Sequence, residues 1–562
     1  MDGPRRFGPY LPLWSIQAEG RQPSSQTAFA QEGTRMSESR QLSKSTAVFA
    51  FGTLLSRVTG LMRDIAMGAI VPAAPLAAFN IAFRLNNMLR DLLGEGASNA
   101  AFIPVLSGIR EKESHEAFRE AVSAIFSALL IILGVVTILG FLFIPAIFHL
   151  LEPVGLIAGT QKLPPDYLAM MGPLARWTFP YIFFIGLTVF QMGPLFIMRH
   201  YSTPAWSPAL LNIAQLGVCF VLFFYPHAFG DPAYGLVAGA WVGGIGQFLA
   251  QYLAVGILVG AWLPNFRLRH PAIRASFLLW GPVILGQSAG EVNKLVDLLF
   301  ATAMGPDVVN GLYFSNRLVQ LPLSVFGIAI SAAILPSVSR SVVRGEIDDV
   351  RTTLMHGFRQ SFFLICPAMT ALFVIPGPIV ALLFERGHFT GMNTGITATA
   401  TVYLAAGLLS FGWVKIAVTG FYAAKDTRTP VAVAFASMLL NIVLIFLLAP
   451  RMNFRGLALA TTLSYTANFL ALYVLLCGRY GRLWNREWLA GLARIAAASI
   501  AMGIVLYFGY TILHARFPAE NLLHRLMCVT ASLGLAGGVY LVFCQILRVP
   551  DIHLFASLLK RK

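Results

Sequence analysis

The sequence predicts an all-α polytopic membrane protein of about fourteen transmembrane helices. It predicts two six-helix lobes related by a pseudo-two-fold along the membrane normal, plus two extra C-terminal helices. Three observations carry this. Hydrophobic residues make up 57% of the 562-residue chain and charged residues only 12%, about half of the roughly 25% usual in soluble domains. Apolar runs long enough to cross a ~30 Å hydrocarbon core recur along the whole chain. Finally, the chain repeats itself with a period of six such runs.

Residues 1–45 are polar and rich in Ser, Gln, Arg and Gly. They lack the roughly 7–15-residue apolar core of a signal peptide, so a disordered tail is expected there, with Met36 a candidate start. The first lobe, 46–262, holds spans 46–71, 76–108, 118–149, 173–198, 204–225 and 234–262. The second, 263–480, holds 277–304, 309–339, 355–384, 395–424, 429–449 and 456–477. Residues 481–562 add 488–514, 522–547 and a short basic tail. About nineteen Lys and Arg, among them Arg110, Lys112, Arg267, Arg344, Lys425 and Arg482, fall in loops on one side. Lys162, Arg386, Arg451, Arg455, Arg516 and Arg525 fall on the other. The richer side is the cytoplasmic one, and an even number of spans puts both termini there.

The net charge of +16 is therefore topological. No RNP-like motif, finger spacing or basic soluble helix points to nucleic acid. The five cysteines lie in or beside apolar spans without a metal or disulfide spacing, as small buried side chains do. The four-residue spacing of Gly235, Gly239 and Gly243 suits close helix packing. There is no GxxxxGK[ST] loop for nucleotide. Asp348-Asp349 reads as a solvated helix start, and no nucleophile–base set stands out.

The repeat is legible in four places. AAFIPVLS at Ala100 matches AAILPSVS at Ala332, and FRLNN at Phe83 matches NRLVQ at Asn316. HEAFREA at His115 matches HGFRQS at His356, and STP…LLNI from Ser202 matches RTP…LLNI from Arg428. Six spans per unit give both halves the same orientation.

Intramembrane charge is concentrated in equivalent helices of the two halves. Span 1 carries Arg57, Arg63 and Asp64, and span 2 carries Arg84, Arg90, Asp91 and Glu95; span 7 carries Glu291, Lys294 and Asp297, and span 8 carries Arg317. Arg57, Gly60 and Asp64 share one helical face, as do Asn87, Arg90, Asp91 and Gly94. Lys294 and Asp297, three apart, are spaced to pair. A charge at the bilayer centre costs about 2.5–3.5 kcal/mol on insertion scales, so these groups are expected to face a hydrated cavity between the lobes. Two readings remain for Arg63–Asp64 and Lys294–Asp297: ion pairs that lock helices, or members of a binding site. The arginines favour a site for an anionic, phosphate-bearing substrate, because guanidinium binds phosphate in a bidentate fork. Lys415 in span 10 either lines that cavity or snorkels.

SRVTGLMRD at Ser56 and AFRLNNMLRDLLGEGASNAAFIPVLS from Ala82 resemble the MviN/MurJ family of lipid II flippases. So do FPYIFFIGL at Phe179, STPAWSPALLNI at Ser202, YFSNRLVQLPLSVFGIAISAAILPSVS at Tyr313, LLFERGHFT at Leu382 and FYAAKDTRTP at Phe421. The resemblance runs over about 46–480. It implies a non-enzymatic transporter of the multidrug/oligosaccharidyl-lipid/polysaccharide exporter superfamily. Such a protein moves the undecaprenyl-pyrophosphate-linked peptidoglycan precursor across the bacterial cytoplasmic membrane by alternating access. It further implies Arg57, Arg63, Arg90 and Arg317 as head-group ligands. Asp64, Arg84, Glu95, Lys294 and Asp297 become gate or cavity residues, Asp297 and Asn441 an ion site, and spans 13 and 14 the lipid-tail groove. No cofactor or metal is implied. Coupling to membrane potential or a monovalent ion gradient, and action as a monomer near cell-wall synthesis enzymes, are expectations of the same kind. The chain departs from the family at Ala77, Asn86 and Asp91, where an acidic residue, a proline and a basic residue are usual. Rival readings are an exporter of other polyprenyl-linked glycans or of cationic drugs, a membrane enzyme acting on polyprenyl phosphates, and a membrane scaffold. The family motifs count against other glycans and the arginines against cationic drugs. The lack of a clustered acidic motif on a cytoplasmic loop or of a soluble catalytic domain counts against an enzyme, and the paired arginines on equivalent helices against a scaffold.

Overall fold

The structure, a computed structural model, describes residues 51–93, 97–149, 165–260, 263–518 and 521–552, and within them it is helical with no strand. The expected tail, Glu95 and the basic C-terminal end lie outside the described residues. In the first lobe α1 covers 51–70, followed by α2 (Ala73–Leu93), α3 (Ala97–Lys112), α4 (His115–His149), α5 (Pro165–Thr178), α6 (Tyr181–Ile197), α7 (Ser202–Trp206), α8 (Pro208–Phe224) and α9 (Pro232–Val259). The second holds α10 (Pro271–Ala303), α11 (Pro306–Pro322), α12 (Ile328–Arg344), α13 (Ile347–Val374), α14 (Pro376–Phe384), α15 (Gly391–Ala405), α16 (Leu408–Ala423), α17 (Arg428–Met452) and α18 (Phe454–Tyr480). The last two are α19 (Arg486–Arg516) and α20 (Leu522–Ile546). Proline stands first in α5, α8, α9, α10, α11 and α14, where the N–H it lacks has no helical acceptor anyway.

Among the described residues ten helices are long and apolar enough to cross a membrane, or eleven if α15 and α16, bent by 42°, form one span. Apart from the short α14, the segments outside that set are α1, α2–α3 and α10, which carry most of the intramembrane charges. Together they accord with the fourteen expected spans. Span 8 contains a π-helical turn, Leu323–Gly327, between α11 and α12. It follows Pro322, which cannot donate to the helical ladder.

Small residues set the helix spacing. A Cβ on Gly243 would lie 2.5 Å from Leu211 Cα, so α9 meets α8 backbone to backbone. All five cysteines are free, four of them buried. Asp348 and Asp349 occupy the first turn of α13. The start of α10 packs into the first lobe, where Trp280 and Phe277 meet Phe102 of α3 at centroid distances of 5.8 and 6.4 Å. Its end, with buried Phe300 and Ala301, joins the central core between the lobes. Helices α19 and α20 pack on α13: Trp488 Nε1 of α19 donates to the Met355 carbonyl at 2.9 Å and Tyr540 Oη of α20 to the Phe363 carbonyl at 2.6 Å, while Arg359 Nε donates to Asp551 Oδ2, just past α20, at 2.8 Å.

Candidate functional site

The charged helices of the two halves meet face to face, and their register is shared. Adding 233 to the last residue of α1 gives the last of α10, and adding it to the first of α2 gives the first of α11. The same offset turns Asp64 into Asp297 and Arg84 into Arg317. Each lobe therefore carries one aspartate near the end of its first helix and one arginine eleven residues into its second.

In the first lobe the aspartate is fully satisfied. Asp64 Oδ1 accepts from Arg63 Nη2 at 2.7 Å and Arg63 Nε at 3.0 Å. Across the lobe boundary it accepts from Tyr313 Oη at 3.0 Å, and Arg317 Nε lies 3.0 Å from Oδ2. Arg63 Nη1 donates to Asn212 Oδ1 at 2.9 Å, and Asn212 Nδ2 donates to the Ser56 carbonyl, tying α8 to α1. Arg63 and Asp64 are 5% and 2% exposed. Charges this deep persist only when paired and hydrogen-bonded.

In the second lobe the equivalent aspartate has neutral neighbours. Asp297 accepts from Asn441 Nδ2 at 2.9 Å and Thr461 Oγ1 at 3.3 Å. Asn441, fully buried, also donates to Asn293 Oδ1 at 2.8 Å. The expected Lys294–Asp297 pair is not made. Lys294 instead contacts Glu291 one turn earlier, and its Nζ is 3.9 Å from Asp91 Oδ2 of the first lobe. The reason is direction: Glu291 lies on the turn N-terminal to Lys294, toward which helical side chains lean, while Asp297 turns to α17 and α18. Arg84 is half-buried and within electrostatic reach of Asp297 and Tyr465. Among the described residues it has no hydrogen-bond or ion-pair partner.

Arg90 donates to the neighbouring Asp91 from Nε and Nη2 at 3.2 and 2.9 Å. Arg57 reaches Ser324 in the π turn of the opposite lobe. Lys415 is exposed and close enough to Lys294 for the two cations to repel, which sets it with the interlobe group. The side chains of Arg90, Asp91, Lys294 and Arg317 keep 34, 28, 40 and 39% of their exposure. Charged groups of both lobes therefore meet in a partly open interlobe cluster. Among the described residues its cations are Arg57, Arg63, Arg84, Arg90, Lys294, Arg317 and Lys415, against the carboxylates Asp64, Asp91, Glu291 and Asp297. The excess is positive, and it suits an anion.

At the ends of α1 and α10 the lobes are stitched together. The His388 N–H donates to the Ala69 carbonyl at 2.9 Å, Asn310 Nδ2 to the Ala73 carbonyl at 2.8 Å, and Asn80 Nδ2 to Asn310 Oδ1 at 3.1 Å. Gly387 adopts φ +58°, and a Cβ there would sit 2.0 Å from the Ala69 oxygen, so no other residue permits this crossing.

Sequence reasoning missed Tyr313, which bridges Arg63, Asp64 and Arg317. Its signal was its place four residues before Arg317, on the same face. It also missed Asn212, although LLNI carries both Asn212 and Asn441. Asn86, where the resemblance leads one to expect proline, donates from Nδ2 to the Thr178 carbonyl at 3.0 Å, a bond that proline could not make.

The family profile described as lipid II flippase MurJ matches residues 67–527. A probable lipid II flippase MurJ of Vibrio cholerae is 31% identical over 521 residues, covering 91% of this chain and 97% of its own. One of Haemophilus influenzae is 32% identical over 468 residues, covering 81% and 90%. Among solved structures, a lipid II flippase MurJ in an inward closed conformation superposes with a TM-score of 0.72 at 23% identity, covering 89% of this chain and 98% of that one. An inward-facing multidrug transporter of the MATE family and MOP superfamily gives 0.62 at 15%, covering 78% and 96%.

Proposed function

The chain belongs to the lipid II flippase MurJ family, and from that premise we propose that it carries lipid II from the cytoplasmic to the outer leaflet of the bacterial inner membrane, for peptidoglycan synthesis. The observation that carries this reading is the positively charged cluster where the two lobes meet. Its excess guanidinium and ammonium groups suit a pyrophosphate with a sugar-peptide head, while the polyprenyl tail stays in lipid. Arg57, Arg63, Arg90 and Arg317 take the head group. Lys294, bridging to Asp91, gates the site with Asp64, Arg84 and Glu95.

The lobes, 46–262 and 263–480, rock about this site in alternating access, and the stitches at Ala69, Asn80 and Asn310 part when it opens outward. Helices α19 and α20, in the segment 481–562, border the lipid tail. Both termini are cytoplasmic and the protein works as a monomer near cell-wall synthesis enzymes, with no organic cofactor.

A monovalent cation suits the Asp297 cluster. Asp297, Asn293, Asn441, Thr461 and Ser464 offer oxygen donors, the preference of hard cations, and a single carboxylate matches a single charge. In the first lobe the equivalent place is taken by the Arg63 guanidinium between Asp64 and Asn212. In the second, Val296 follows at the Arg63 position and supplies no charge. A bound cation there would supply the missing charge, and the membrane potential or an ion gradient would bias the rocking.

The test is depletion in the native bacterium, with lipid II accessibility read by an externally added toxin that cleaves it. Wild-type chain should restore outer-leaflet cleavage and Arg317→Ala should not. Full cleavage after depletion, or full rescue by Arg317→Ala, would sink the reading.

A further inference from the structure

The cluster at Asp297 has a second claimant. Under the 233-residue offset, the interlobe pair Arg317–Asp64 has Arg84–Asp297 as its mate, and both members lie on the helices the offset superposes. The first pair is shut, with Nε 3.0 Å from Oδ2. In the second pair, Asp297 turns to Asn441 and Thr461, and Arg84 stands half-buried, within electrostatic reach of that carboxylate but unpaired among the described residues. A guanidinium in a partly desolvated cleft gains most from the nearest carboxylate. Asp297 cannot serve a cation held among Asn293, Asn441 and Thr461 and an arginine of the opposite lobe equally well.

We propose that Arg84 and a monovalent cation compete for Asp297. With the cation bound, Asp297 stays with α17 and α18, and the second interlobe pair is open. With the cation gone, Arg84 closes onto Asp297 and the two lobes are latched on both sides of the pseudo-two-fold. The cation then acts as the release of an interlobe latch, and the first lobe cannot be released this way, because Arg63 is a covalently held cation at the matching position. The proposal rests on the cation reading of the Asp297 cluster and adds to it a partner on the other lobe.

The test uses the purified full-length protein in detergent, with sodium titrated against N-methylglucamine at constant ionic strength. The thermal unfolding midpoint is the readout, so transport need not be measured. Wild type should gain stability with a saturable sodium midpoint, and Asp297→Asn should lose that dependence. Removing the competitor in Arg84→Gln should move the sodium midpoint to lower concentration by about five-fold or more, the lower range of coupling between linked sites. A double-mutant cycle of Arg84→Gln with Asp297→Asn should give a coupling without sodium that vanishes at saturating sodium. An unchanged sodium midpoint in Arg84→Gln overturns the competition and leaves the cation site standing. A wild type indifferent to sodium overturns both.

Discussion

The two halves of the chain agree in scaffold and differ in charge. Helix ends at 70 and 303, and helix starts at 73 and 306, keep one register. The loops before α7 and α17 correspond as well. Arg199 and Lys425 both take positive φ, at 57° and 60°. Two residues before each STP or RTP, His200 contacts Thr203 Oγ1 at 2.8 Å and Asp426 accepts from Thr429 Oγ1 at 2.9 Å. Yet Asp64 is held by two arginines and Asp297 by none. The duplicated fold sets where a carboxylate sits, and one neighbouring side chain, Arg63 or Val296, decides whether its counter-charge is built in.

The largest effect should separate Arg317 from Arg84. Removing Arg317 takes one of two counter-charges from a carboxylate that is 2% exposed. Breaking a buried pair costs about 3 kcal/mol. Arg84 has no such pair in this state, so Arg84→Ala should stay within about 0.5 kcal/mol of wild type at saturating sodium. Denaturant titration of the two purified variants measures both. Equal losses would erase the distinction between the lobes.

Much of this asymmetry is legible in the sequence and some is not. Spans, repeat and charged helices follow from hydropathy and spacing, since each is a local property of the chain. The Arg63–Asp64 pair is adjacent and was readable. The partners of Lys294 were not: i+3 spacing admits Asp297, and only side-chain direction and the approach of Asp91 from another helix decide for Glu291. Asn212 and Asn441 stood in the repeated LLNI, but nothing local tells that one meets a guanidinium and the other a carboxylate. That is set by helix packing across about 150 residues of chain, between Arg63 and Asn212 and again between Asp297 and Asn441.

A smaller effect would make the second lobe resemble the first. Val296 is partly buried against the central core, and Val296→Arg places a guanidinium where Arg63 stands in the other half. If the missing charge is what distinguishes Asp297, this variant should unfold at the same temperature with and without sodium. Its own stability should fall by about 1–3 kcal/mol, the usual result of crowding a packed site. Retention of the wild-type sodium dependence would show that position 296 is not the determinant.

The smallest effect concerns the matching loops. Asp426, between α16 and α17, is held below the usual carboxylate range, first by the Thr429 N–H that it accepts at 3.1 Å. Arg479, donating to its Oδ2 at 2.9 Å, adds to this, and partial burial opposes it. A carboxyl whose folded value is depressed contributes stability that is present above its unfolded value and lost as pH falls through the folded one. The contribution is modest, because the pair with Arg479 lies near the surface and water screens it. Asp426→Asn keeps an oxygen for the Thr429 N–H and drops the charge. It should lower the unfolding temperature slightly at neutral pH and flatten its decline below about pH 4. The first-lobe loop, with His200 in place of the aspartate, has no carboxylate to lose. If Asp426→Asn leaves the acid decline as steep as before, the loops share their backbone path and not the electrostatics that hold it.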